Sequence, residues 1–218
     1  MTLFWIVGFI GLSVLIGGAQ WYFSDRSVTR RELQRAPRTR ISDIKGGVVR
    51  ITGKVELTEQ VLIAPLADEP CAAAELVITD IEGDTGIGAR IAEARPFWVD
   101  DGTARALVDP GEHFVLAVRR TTKAKSSRVD ERMAQRLRPW LKKAQAMTEG
   151  PLPEDSMRYE EGAIVTGDIV SVGGHARLEV DPRGESHGFR APPSLAVLRP
   201  GGPQEPLLIA DHAGGSSG

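Results

Sequence analysis

Residues 3–23, "LFWIVGFIGLSVLIGGAQWYF", carry no charged side chain, and this run constrains the chain more than anything that follows it. At about 1.5 Å per residue, a helix of this length covers the roughly 30 Å hydrocarbon core of a bilayer. Trp5 stands near one end, with Trp21 and Tyr22 at the other, where amphipathic rings favour the membrane–water interfaces. A transmembrane helix is therefore expected over residues 3–23. The alternative is a cleaved signal peptide, with Gly17, Gly18 and Ala19 supplying small residues for the cleavage position. No Lys or Arg precedes the run, whereas Arg26, Arg30, Arg31, Arg35, Arg38 and Arg40 follow it closely. Positive charge resists translocation. The expected localisation is a single-pass integral membrane protein with its N-terminus outside and its soluble domain cytoplasmic; an exported product is the alternative. The arginines either only set this topology or also meet anionic headgroups, each contact worth up to about 1 kcal/mol.

After the span, residues 24–44 are polar and Arg-rich and read as a juxtamembrane linker or short helix ending near Ile41-Ser42-Asp43. The folded domain is expected over 45–210, followed by a flexible tail at 211–218. Branched apolar and polar residues alternate in "GGVVRITGKVELTEQVLIAP", which predicts strands near 47–56 and 59–64, and "CAAAELVITDI" predicts another near 73–81. "EGDTGIGARIAEA" carries three glycines and reads as a loop. In "RPFWVDDGTARALVDP", Phe97 and Val99 before Asp101-Gly102, and Ala106 and Val108 after it, predict a hairpin. Gly102 accepts a positive φ there, and Asp101 bonds its own backbone. The pair Asp100-Asp101 could also be a catalytic acid/base pair, part of a metal site, or a loop that contacts a partner. "EHFVLAVRR" predicts a further strand. From 126 to 147, Val129, Met133, Leu137, Leu141 and Ala144 recur at helical spacing while Arg128, Arg132, Arg136, Arg138, Lys142 and Lys143 crowd the other faces. This basic amphipathic helix, with Pro139 as a kink or a second start, either packs with solvated cations or lies against anionic lipid. "GAIVTGDIVSVGGHARLEV" returns to strands, and "PLLIA" near the end could add an edge strand. The fold class is mainly β (α+β) with one or two basic helices.

The 218 residues, 41% hydrophobic and 26% charged, leave room for one core. A formal net charge of −2 argues against a dedicated nucleic-acid binder. One cysteine, Cys71, cannot form an internal disulfide, and the sequence shows no P-loop, dinucleotide fingerprint, GxSxG elbow or HExxH. The histidines, His113, His175, His187 and His212, are scattered singly. No catalytic residue, cofactor or metal is expected.

"ITGKVE…LIAPLADEPCAAAELVI", "PFWVDDGTARALVDP" and "RYEEGAIVTGDIVSVGG", with a basic helix between the last two, together resemble the GIDE domain, also called the BAM (beside a membrane) domain, over roughly residues 45–210. The matching positions are Gly53, Pro65, Cys71, Phe97, Asp101, Gly102, Val108, Asp109, Pro110, Tyr159, Glu160, Glu161, Gly167 and Gly173. The resemblance implies an OB-like small β-barrel and an interaction role beside a membrane. Eukaryotic members include the mitochondrial E3 ubiquitin ligase MULAN, in which a RING finger follows the domain; bacterial relatives commonly keep only a membrane helix and the domain. Ligase activity is not carried over, because a RING needs eight Cys/His ligands and this sequence has five such residues in all, unclustered. The function expected is a membrane-anchored, non-enzymatic module that binds a protein or peptide at the cytoplasmic membrane surface, with Arg128, Arg132, Arg136, Lys142 and Lys143 as the surface for that partner or for anionic lipid. A degenerate ligase relative or enzyme subunit, and a lipid-surface or structural membrane protein, are the alternatives.

Overall fold

The computed structural model describes residues 25–80, 87–148, 157–180 and 194–212. The expected span at 3–23 lies outside the described residues, and among these no helix is long and apolar enough to cross a membrane.

The described chain is mainly β. Strand β1 (Gly47–Leu57) is paired along both edges, with β5 (Phe97–Asp100) on one side and β10 (Ile169–Val180) on the other. Around the ring, β5 pairs with β6 (Arg105–Val108), β6 runs parallel to β11 (Ser194–Arg199), and β11 pairs antiparallel with β10. The order β1-β5-β6-β11-β10 thus returns to β1 and closes a five-stranded β-barrel. Closure leaves these strands without a long open edge along the ring. Inward residues follow the period of two: Ile51, Val55, Phe97, Val99, Ala106, Val108, Val170, Val172 and Leu198 are each fully buried in one core. Strand β10 changes partner midway. Val170–Gly173 pair with β12 (Leu207–Asp211), and His175–Val180 pair with β11; β7 (Phe114–Ala117) lies parallel on β12.

Two excursions between barrel strands, one after β1 and one after β6, build a second sheet. In it β3 (Pro70–Asp80) pairs with β2 (Leu62–Ile63) and β4 (Ile87–Ala94) on one side and with β9 (Met157–Val165) on the other, and β8 (Thr122–Lys125) lies outside β9. Helix α2 (Glu131–Met147) covers this sheet with Leu137, Trp140 and Ala144, over Leu76, Ile78, Ile91 and Tyr159. Asp130 caps it, accepting from Met133 N–H at 2.8 Å. Pro139 sits inside the helix without ending it. Strand β3 is buried from Cys71 to Ile78 because both of its faces are covered: Ala72 and Ala73 join the barrel core, and Ala74, Leu76 and Ile78 join the other. Between the two cores, the fully buried Glu75 carboxylate accepts from Arg90 Nε at 2.6 Å and Arg120 Nε at 2.8 Å, and Arg90 Nη2 continues to the Leu116 carbonyl of β7.

Three stretches differ from expectation. Residues 87–94, read within a loop, form β4: Ala89 and Ile91 are buried, but glycine and alanine flatten the period-two pattern that marks a strand. The strand expected at 59–64 shortens to Leu62–Ile63, and the one near 73–81 starts at Pro70. The Arg-rich stretch after the uncharged run is packed. Helix α1 (Asp25–Arg35) rests on β7 and β12 with Leu33 buried, and Ile41 and Ile44 enter the barrel core around a 3-10 turn at Ile41–Asp43. A Cβ on Gly173 would sit 2.7 Å from Leu33 Cδ2, so glycine makes room for α1.

Candidate functional site

At the tip of the β5–β6 hairpin, Gly102 has φ +82° and the Asp100 carboxylate accepts from Gly102 N–H at 2.7 Å. Asp101 Oδ1 accepts from the Thr103 N–H at 2.9 Å, the Thr103 hydroxyl at 2.6 Å and the Ala104 N–H at 3.2 Å, while Oδ2 accepts from Ile41 N–H at 2.8 Å. Partial burial pushes this carboxyl up, but the bonds from Thr103, Ile41 and Ala104 outweigh it and hold the group below its ordinary value. Asp101 thus ties the turn to the segment that follows α1. Its acceptor capacity is spent on structure, so the geometry assigns the aspartate pair to the turn.

The other positions that carry the family resemblance are also structural, and they do not converge. Phe97 fills the barrel core, and Asp109, ahead of buried Pro110, accepts from Arg199 Nε at 3.0 Å. Gly167 has φ +96° and donates its N–H to the Val55 carbonyl. Tyr159 is buried under α2, with its hydroxyl 3.5 Å from Met157 Sδ, and Glu160 pairs with Lys123 at 2.9 Å on the surface. Glu161 is buried and holds the turn after β2, accepting from Leu66 N–H at 2.6 Å and Ala67 N–H at 3.1 Å. Burial pushes the Glu161 carboxyl up, against the pull of those two N–H groups and of Arg136. Burial, with the nearby Glu161 and Glu69 charges, pushes the Cys71 thiol up to about 12, which removes it as a nucleophile. Among the described residues no cluster of His, Cys, Asp and Glu could hold a metal ion.

The basic helix divides its cations. Arg136 donates from Nε to the Pro65 carbonyl at 3.2 Å and from Nη1 to Asp68 at 3.0 Å, and Lys143 pairs with Glu93 at 2.5 Å. These two dock α2 on the sheet. Arg128, Arg132, Lys142 and Lys143 are exposed, and Arg136 is half-buried.

A different surface has the character of a binding site. On the outside of the barrel, Glu56 stands opposite Trp98, Trp98 opposite Leu107, Leu107 beside Val197, and Val197 opposite Arg177, in one row across five strands. Trp98, Leu107, Leu195 and Val197 line a groove of about 680 Å³ with Glu59 and Glu179 at its rim. Arg105 lies 4.9 Å from the Trp98 ring centroid and pairs with Glu56 at 2.6 Å, holding the indole in place. The inward faces of these strands already fill the barrel; in the outward row Val197 is buried, while Trp98 and Leu107 remain half-buried at the groove. The sequence carries a signal for it: the hairpin is apolar at Trp98 and Leu107, positions that strict alternation would leave polar. No protein-family model, curated protein or solved structure matches this chain.

Proposed function

We propose that this chain is a membrane-anchored, non-enzymatic interaction module whose barrel binds a protein or peptide at the cytoplasmic membrane surface. The observation that carries the reading is the outward pair Trp98 and Leu107, half-buried beside the buried Val197 at their groove. Aromatic and aliphatic anchors flanked by a cation and carboxylates are the composition of binding hot spots. The anchor in this reading is the uncharged run 3–23. The barrel supports an OB-like identity: numbered along the chain, its five strands close in the order 1-2-3-5-4 with strands 3 and 5 parallel, and folds of that kind bind ligands across strands 2 and 3. Here those strands are β5 and β6, which carry Trp98 and Leu107. That arrangement also favours the GIDE resemblance as an interaction domain over a ligase.

Photocrosslinking from position 107 of the full-length protein in its native membranes tests this. A discrete protein adduct is expected, lost in Trp98→Ala while the circular dichroism spectrum and melting temperature are retained. Equal adducts from position 107 and from exposed position 131 of α2, or an adduct indifferent to Trp98→Ala, would overturn it.

A further inference from the structure

We infer that the seam between α1 and the barrel is a binding site for a phosphate group. After α1 the chain lies along β1, with Arg50 N–H donating to the Pro37 carbonyl at 3.0 Å and Thr39 N–H to the Arg50 carbonyl at 2.9 Å. This leaves a cavity of about 540 Å³ walled by α1, β1, β10 and the end of β12, into which Arg38, Arg50, Thr52, Ser171 and His212 project. A second hollow of about 640 Å³ shares Arg38 and Thr52 and adds Arg40. The two hollows adjoin at Arg38 and Thr52 and between them carry three guanidinium groups, in a chain whose formal net charge is −2.

Arg50 is the anchored cation of the cavity. Its Nη1 donates to the Leu33 carbonyl at 2.9 Å, which fixes the side chain against α1. Held there, its guanidinium lines the cavity together with the exposed Arg38. The neighbouring Thr52 and Ser171 hydroxyls bond each other at 2.9 Å, a single shared proton that leaves the second hydroxyl proton to donate elsewhere. Guanidinium and hydroxyl donors in one hollow match the several acceptor oxygens of a phosphate. The one carboxylate of this cavity, Asp211, accepts from Arg119 N–H at 2.8 Å; Asp101, in the second hollow, is spent on the hairpin turn. The site adds to the proposed function without depending on it. The phosphate could belong to a lipid headgroup or be free in solution, and the two sources are separable.

The full-length protein in an uncharged detergent is titrated with inorganic phosphate against chloride at matched ionic strength, and is also placed in phosphatidylcholine nanodiscs with and without phosphatidic acid. The expected result is a rise in melting temperature with phosphate, or with phosphatidic acid. Arg38→Gln, a change at an exposed side chain, should weaken the effect by about tenfold or more, and Arg50→Gln should abolish it. A response to inorganic phosphate assigns a soluble ligand; a response to phosphatidic acid alone assigns the headgroup. No rise with either, or a rise undiminished in Arg38→Gln, overturns the site.

Discussion

The barrel and the sheet beside it each hold a distant loop with one carboxylate, and the two carboxylates titrate in opposite directions. Asp101, on the barrel hairpin, binds the Ile41 N–H along with three donors of its own turn and sits below its ordinary value. Glu161, in the second sheet, binds the Leu66 and Ala67 N–H groups and sits above its own. The difference is solvent. Asp101 keeps contact with water, so hydrogen bonds dominate; Glu161 is 1% exposed, so desolvation of the charge dominates. The stability that Asp101 contributes is complete above its unfolded value and is lost as pH falls through its lower folded one. Glu161 has the reverse sign: its contribution is complete below its unfolded value and is lost as pH rises through its raised folded one.

The largest expected effects test whether the two regions are one folding unit. Phe97→Ala empties the centre of the barrel and should cost about 3–5 kcal/mol, and Leu76→Ala in the other core about 2–5 kcal/mol. Because β3 gives Ala73 to one core and Leu76 to the other, both variants should shift a single urea transition. Two separated transitions, read by far-UV circular dichroism and tryptophan fluorescence, would break the comparison into two domains. Glu75→Ala leaves Arg90 and Arg120 facing each other between the regions and should cost about 3–5 kcal/mol; a cost below about 1 kcal/mol would show that the regions do not depend on this junction. Glu161→Ala strands the buried Leu66 N–H and should cost about 1–3 kcal/mol at neutral pH, and Glu161→Gln should flatten the pH dependence that its carboxyl imposes. The smallest effect is Asp101→Asn, about 0.5–1.5 kcal/mol at pH 7. It should remove part of the stability loss on acidification below about pH 4, measured by urea midpoints across pH. Equal pH slopes in Glu161→Gln and Asp101→Asn would erase the contrast between the two carboxylates.

The elements written in local patterns were legible. Phe97, Val99, Ala106 and Val108 point inward as their alternation predicts, Gly102 takes the positive φ of the turn, and Leu137 and Ala144 are buried on the helix stripe. Trp140 joins that stripe one turn from Leu137 and Ala144, hidden among charged neighbours. Strand β4 was not legible because alanine and glycine carry little hydropathy contrast. The candidate sites were less legible than the fold. The helix cations read as one surface, yet Arg136 and Lys143 find Asp68 and Glu93 on remote elements.

By itself the sequence determined the uncharged N-terminal run, the hairpin, the covered helix and most strands, since period, turn chemistry and charge are properties of adjacent residues. Only the tertiary structure decided that β1 meets β10 more than a hundred residues later and closes a barrel, that Leu33 lodges over Gly173, and that Trp98, Leu107 and Val197 form one row. It also decided the protonation bias of Glu161 and set Arg50 beside Arg38 around one cavity. Pairing and desolvation depend on which distant groups arrive together, and no local pattern encodes that.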